Sequence, residues 1–231
     1  MIDARKVIVA LDVCERPQLL SLLAALEGQG VWVKLGMEAY YSLGSAAITE
    51  AKARGFKVFL DLKLHDIPNT VARSLKVLAN LQVDMINVHA AGGSEMLKRA
   101  SGTLKELAAP PLLIAVTQLT STTQRQLNEE QRIPGDVLES VSHFAKLARE
   151  CGCDGVVSSP LEVQAVKLIC GSRFLTVTPG IRPRGSESQD QHRITTPLEA
   201  LRLGSDFMVI GRPVTEAPDP RKALADILQG E

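Results

Sequence analysis

Eight short apolar runs recur along the chain: Val7–Val13, Trp32–Gly36, Lys57–Leu64, Met85–Ala90, Leu112–Thr120, Gly155–Ser159, Phe174–Gly180 and Phe207–Arg212. Several are near-continuous in Val, Ile, Leu and Phe, the pattern of strands buried on both faces. The segments between them carry apolar residues at helical spacing. Pro17–Leu26 places Leu19, Leu20, Leu22, Leu23 and Leu26 on such a pattern; Ser45–Arg54 is rich in Ala; Asp136–Cys151 carries Val137, Val141, Phe144, Leu147 and Ala148. Helical segments close on Gly28, Gly55, Gly152 and Gly204, as left-handed caps require. Strand and helix alternating through eight units predict an α/β fold, a closed parallel (β/α)₈ TIM barrel, with residues 1–231 as a single domain. A six-stranded doubly wound sheet is the architectural alternative, and it would have to discard two well-formed βα units.

Two polar connections interrupt this rhythm, at 121–133 (STTQRQLNEEQRI) and 183–193 (PRGSESQDQHR). Both follow the C-terminal ends of expected strands, the face on which barrels of this kind build their sites. Long connections in a compact domain are lids or tolerated surface insertions, and for the first both readings stay open. The neighbours of the second, T-P-G-I-R before it above all, favour a lid.

The length of 231 residues suits one barrel, since such domains commonly run to about 250 residues. Lys plus Arg and Asp plus Glu number 26 each, so the chain has no net charge that would favour a nucleic acid partner, and any phosphate recognition must be local. No apolar stretch approaches the roughly 18 residues of a membrane span, and the start of the chain lacks the apolar core of a signal peptide. Cys14, Cys151, Cys153 and Cys170 include no C-x-x-C pair; they read as reduced, incidental thiols, which implies a cytoplasmic setting. His65, His89, His143 and His192 form no metal-ligand spacing, so no metal site is expected; His89 either faces the site or is a satisfied structural group.

Candidate chemistry concentrates at strand ends. Alternation along Lys57–Leu64 gives Phe59, Asp61 and Lys63 one face and Val58, Leu60, Leu62 and Leu64 the other. In a barrel the second set meets the helices and the first points inward. Lys34, in V-K-L-G, and Asp12, closing V-I-V-A-L-D, add two charges from the neighbouring strands. Charges buried there are costly unless paired. They form either an ion pair closing the barrel or a catalytic array, and four of them at one rim favour the array. At the last two strands, T-P-G-I-R-P and V-I-G-R-P offer Gly180, Gly211 and Arg212: glycine lets backbone approach a ligand, and arginine fits a phosphate with paired N–H bonds.

In this order the motifs resemble those of the orotidine 5′-phosphate decarboxylases of the bacterial type. The match rests on D-L-K-L-H-D-I-P-N-T (residues 61–70), whose core is D-x-K-x-x-D, and on L-D, V-K-L-G, V-H-A-A-G-G, V-T-Q-L-T-S, T-P-G-I-R and V-I-G-R-P. It covers nearly the whole chain, from about Val7 to Pro220. The resemblance implies a cofactor-free enzyme that decarboxylates orotidine 5′-monophosphate (OMP) to UMP. It makes Lys63 the proton donor to C6 of the pyrimidine, sets Asp61 against the substrate carboxylate, and places Lys34 between Asp61 and Asp12 or the ribose hydroxyls. It implies a homodimer in which Asp66, accompanied by Thr70, completes the partner's site. Thr120 would touch the base, Gln191 would bridge base and phosphate, and Arg212 with the Gly211 backbone, beside Arg182, would hold the phosphate.

Two rival readings remain. The D-x-K-x-x-D core also resembles metal-dependent sugar-phosphate decarboxylases and hexulose-phosphate synthases of the same wider group, against which the T-P-G-I-R loop and Gln191 speak. A catalytically silent nucleotide-binding barrel is the other, opposed by the intact Lys34, Asp61, Lys63 and Asp66.

Overall fold

A computed structural model of the chain describes residues 1–182 and 195–230. Its eight strands close a barrel in chain order, each parallel to the next: β1 (Val7–Ala10), β2 (Trp32–Gly36), β3 (Val58–Leu64), β4 (Met85–His89), β5 (Leu112–Val116), β6 (Gly155–Val157), β7 (Leu175–Thr178) and β8 (Phe207–Ile210). The helices are α1 (Arg16–Leu26), α2 (Met37–Leu43), α3 (Ser45–Ala53), α4 (Pro68–Ala79), α5 (Gly93–Lys105), α6 (Val137–Glu150), α7 (Val163–Cys170), α8 (Pro197–Leu203), α9 (Arg212–Thr215) and α10 (Pro220–Gln229). The doubly wound alternative is therefore set aside. Most strands stop short of the apolar runs that announced them, because the last residues of those runs leave the ladder to form the rim; β5 ends at Val116 although the run continues to Thr120.

The strand pattern separates two cores. Val58, Leu60 and Leu62 pack outward under the helices with Leu35, Ile86 and Val88. Ile8, Ala10, Trp32, Phe59, Met85, Ile114, Val177 and Val209 fill the barrel. Sequence chemistry also fixes the helix ends. Asp136 and Glu139 form a reciprocal capping box at the start of α6, with bonds of 2.7 and 2.9 Å. Gly204 closes α8 with φ +97°, a left-handed conformation that costs glycine least.

Register is set at the end of the barrel away from the rim by a recurring carboxylate. Asp84, Asp154 and Asp206 each precede an even-numbered strand, and each accepts a backbone N–H from the first or second residue of the strand before it, from Val58 (2.8 Å), Leu113 (2.8 Å) and Thr176 (2.7 Å). Lys52 and Lys167 pair with the first and last of these aspartates at 2.7 and 2.6 Å. Register matters here because a one-residue slip would turn a strand's inward residues outward.

β6 passes β7 so closely that a methyl group on Gly155 would overlap the Leu175 carbonyl oxygen and stand 2.8 Å from its carbon. Gly155→Ala should therefore destabilise the barrel by about 1–3 kcal/mol, as overpacking does. In a thermal melt that corresponds to a fall of roughly 2–4 °C per kcal/mol for a domain of this size. A melt equal to wild type would mean that β6 and β7 can separate without loss.

Candidate active site

The inward-facing charges meet at the C-terminal rim. The Lys34 ammonium donates to Asp12 Oδ1 at 3.0 Å and lies 3.3 Å from Asp61 Oδ2. The Lys63 ammonium donates to Asp61 Oδ1 at 2.7 Å. The result is an alternating chain of Asp12, just beyond β1, Lys34 on β2, and Asp61 and Lys63 on β3. Lys34 and Asp61 are each only 8% exposed. Burial works against the Lys34 charge, but Asp61 and Asp12 outweigh it and hold its pKa above the ordinary lysine value. Burial likewise works against the Asp61 carboxylate, and Lys34 and Lys63, followed by a hydrogen bond donated by the Asn87 amide, hold its pKa below the usual value. Gly36 belongs to this arrangement because a side chain there would stand 3.0 Å from Lys34 Nζ and 3.1 Å from Asp12 Oδ1.

Strand alternation places Asp61 but does not by itself place Lys63. β3 slips against β4 between Leu60 and Leu64, and Lys63 has φ +52°, which few non-glycine residues adopt. The ammonium reaches Asp61 from that kinked backbone. Leu62 and Leu64 still pack outward as alternation expects.

Asp12, Lys34, Asp61, Lys63, Thr120, Gly180, Arg182, Gly211 and Arg212 all line one cavity of about 680 Å³. β1 to β3 supply the ion chain. β7 and β8 lead into Gly180, with φ +81°, and into Gly211 and Arg212 at the start of α9. Arg182 is buried, donates to the Ile181 carbonyl at 3.2 Å, and is tied by its backbone N–H to Thr195 at 2.9 Å. Ala10, Phe59, Val116, Val157, Val177 and Val209 supply apolar surface between the two polar walls. The connection after β5 is ordered around a helical turn at Gln126–Glu130. Gln124 braces it through Asn128 at 2.7 Å and the Gly135 carbonyl at 2.8 Å.

Three expected site residues stand apart. Gln191 lies outside the described residues. Asp66 and Thr70 are exposed and do not line the cavity of their own chain. Asp66 does not cap α4 either: the N-cap is Ile67, and the Asp66 carboxylate accepts the Ile67 N–H at 2.6 Å. His89 is half-buried against His65, with ring centres 5.5 Å apart, and does not line the cavity. Burial, then the charges of His65 and Lys63, lower its pKa.

Sequence reasoning missed Asn87 and Gln118. Asn87, wholly buried on β4, donates to Asp61 Oδ1 at 2.6 Å and accepts the Lys63 N–H at 2.7 Å. Gln118 lines the cavity and donates to Ser140 Oγ at 3.0 Å. The available signal was an amide inside an otherwise apolar strand run. The three thiols Cys151, Cys153 and Cys170 are buried and Cys14 is exposed; burial pushes Cys153 up to about 12.

The two perturbed charges act on stability in opposite pH ranges. Asp61, with a lowered folded pKa, contributes above its unfolded value and loses that contribution as pH falls through the folded one. Lys34, with a raised folded pKa, contributes below its unfolded value and loses it as pH rises through the folded one. Neutral pH retains both. Lys34→Met leaves Asp61 with Lys63 and Asn87 alone, so stability at neutral pH should fall by about 3–5 kcal/mol, the range for breaking a buried pair. The acid loss of stability should also begin at higher pH. Urea midpoints measured between about pH 3 and pH 7 check this; an unchanged acid limb would mean that Lys34 does not hold Asp61 ionised.

Known proteins carry the same arrangement of chain. A family model described as "Orotidine 5'-phosphate decarboxylase / HUMPS family" matches residues 5–227. Curated relatives named orotidine 5′-phosphate decarboxylase, from Bacillus cereus (strain AH820) and Bacillus mycoides (strain KBAB4), are each 47% identical over 230 residues, covering 98% of this chain and 97% of theirs. A crystal structure of orotidine 5′-phosphate decarboxylase from Lactobacillus acidophilus is 43% identical with a TM-score of 0.86, covering 97% of both chains. A structure of an uncharacterized conserved protein from Geobacillus kaustophilus matches with the same identity and TM-score, covering 97% of this chain and 99% of that one. On the extent of the family match and this level of identity, the chain belongs to the orotidine 5′-phosphate decarboxylase / HUMPS family.

Proposed function

We propose that this chain is a carboxy-lyase that converts OMP to UMP and CO₂ in pyrimidine nucleotide biosynthesis. The observation that carries the reading is the alternating Asp12–Lys34–Asp61–Lys63 chain at one wall of a cavity whose other wall ends in Gly211 and Arg212. The relatives at 47% identity bear the same activity in their names.

The chemistry follows from the charges. Breaking the C6–carboxylate bond of OMP leaves an electron pair on an sp² carbon with no ring position able to absorb it. The Lys63 ammonium beside C6 stabilises that charge as it develops and then transfers a proton to the carbon, giving UMP. Lysine suits both tasks as a compact point charge with protons to give. Asp61 aims the Lys63 ammonium; Lys34 stabilises the Asp61 carboxylate and is itself held by Asp12. Asp61 also faces the departing carboxylate. Arg212 and the Gly211 backbone take the phosphate, remote from C6. Binding energy gained there orients the base and lowers the barrier without touching the reacting bond. Thr120, on the cavity wall, is the contact for the pyrimidine; the resemblance gives Gln191, outside the described residues, the bridge between base and phosphate. No cofactor enters these steps.

The metal-dependent rival needs several acidic donors free for a cation. Here Asp12 and Asp61 are both engaged by lysines. Among the described residues no helix is long and apolar enough to cross a membrane.

The working unit is a two-fold dimer with shared sites. Asp66 and Thr70 are exposed beyond the end of β3, outside the cavity of their own chain, with Ile67 between them 68% exposed. Across a two-fold axis Asp66 would extend the partner's ion chain by one more carboxylate, reciprocally for both copies.

Turnover and complementation measurements test the reaction and the dimer. Purified protein should deplete OMP, followed by absorbance, in the presence of excess chelator, and Lys63→Ala should abolish turnover while UMP still binds. Turnover by that variant within about tenfold of wild type would leave only about 1.4 kcal/mol of barrier to Lys63 and remove it as proton donor. Inhibition by the chelator would favour the metal-dependent rival. For the dimer, mixing inactive Lys63→Ala chains with inactive Asp66→Ala chains should give heterodimers with one intact site, restoring roughly a quarter of wild-type activity on random exchange. No recovery under conditions that exchange subunits would mean that Asp66 serves its own chain.

A further inference from the structure

β3 carries surplus chain where the site is built. Leu60 pairs with Ile86 and Leu64 with Val88, so four steps along β3 are matched by two along β4. Lys63 lies in that surplus with φ +52°. A lysine gains nothing intrinsic from a left-handed backbone, and the bulge takes its N–H out of the regular ladder. Such a conformation persists only where its surroundings over-determine it.

Asn87 stands opposite the surplus. Its Oδ1 accepts the Lys63 backbone N–H at 2.7 Å and replaces the missing ladder acceptor. Its Nδ2 donates to Asp61 Oδ1 at 2.6 Å, the same oxygen that receives the Lys63 ammonium at 2.7 Å. A backbone N–H can only donate and a carboxylate only accept, so the two partners fix which end of the amide faces which. Asn87 is wholly buried and does not line the cavity, so it touches Lys63 and Asp61 rather than a ligand.

We propose that Asn87 is a positioning residue: one amide locks the kinked Lys63 backbone and the Asp61 carboxylate into a single frame, so that the ammonium of Lys63 is held at one point in the cavity. This rests on the functional reading above and adds to it a group that never meets substrate. Aspartate at the same place separates the two bonds. Protonated, Asn87→Asp keeps an acceptor for the Lys63 N–H and a donor for Asp61; ionised, it keeps the acceptor but repels Asp61. Around it lie the charges of Asp61 and Lys63 on β3, Lys34 on β2, the half-buried His89 on β4 and His65 beyond β3.

The test is steady-state kinetics with OMP across pH, together with UMP binding. Asn87→Ala should lose about 100-fold in kcat, the scale of a misplaced reacting group. KM for OMP and Kd for UMP should move less than about threefold, since the amide binds neither. Asn87→Asp should gain a limb absent from wild type, with kcat falling as pH rises through the new carboxyl. Turnover by Asn87→Ala within about threefold of wild type, or equal losses of kcat and UMP affinity, would overturn the proposal. So would a pH profile for Asn87→Asp parallel to wild type, which serves as the test should the alanine variant fail to fold. A wild-type chain inactive on OMP would sink the functional reading alone. The placing of Asn87 would then be read from acid unfolding, whose limb moves to higher pH in Asn87→Ala if the amide holds Asp61 ionised and stays in place if it does not.

Discussion

The structure turns on a buried carboxylate. Asp61 sits inside a barrel otherwise filled by Ile8, Phe59, Met85, Ile114 and their neighbours, a place where an unpaired charge would cost several kcal/mol. It is tolerable only because Lys34, Lys63 and Asn87 all converge on its two oxygens. Each partner is constrained in turn: Lys34 by Asp12, Lys63 by its own backbone, Asn87 by its place on β4. A lysine held by a fixed carboxylate is aimed before substrate arrives, which is the form of electrostatic catalysis that a reaction without an electron sink requires.

The fold supplies this through two departures from regularity. Parallel strands in strict register, pinned at the far end by Asp84, Asp154 and Asp206, bring Lys34 and Asp61 to one rim. Lys63 lies two residues beyond Asp61 on β3, where the ladder against β4 is irregular. The slip between β3 and β4 and the positive φ of Lys63 return its ammonium to Asp61. Strain and burial, both unfavourable to stability, are thus concentrated in the few residues that the chemistry uses.

Much of this was legible in the sequence. Eight apolar runs and their glycine stops gave the barrel, because buried parallel strands and helix caps leave local signatures. Period-two alternation gave Asp61, and the neighbouring strand ends gave Lys34 and Asp12. Other features were not legible for physical reasons. Nothing in D-L-K-L-H announces a bulge, since the surplus exists only relative to β4. Asn87 stands just before V-H-A-A-G-G, and its two partners come from another strand. The β5 run overran its strand by four residues because apolarity continues where the backbone has already turned to form the rim. Asp66 is exposed and lies outside the cavity of its own chain, so one chain alone assigns it no role.

In the proposed reaction the Lys63 ammonium, held by Asp61, faces C6 of the pyrimidine. Exchange at that carbon tests it most directly, because a site that protonates a C6 carbanion must also remove the C6 proton of UMP, at a slower rate. Incubating UMP with the protein in deuterium oxide should replace the C6 hydrogen by deuterium, read as loss of its proton resonance, and Lys63→Ala should suppress that loss while still binding UMP. Exchange that proceeds as fast in Lys63→Ala as in wild type would contradict the account.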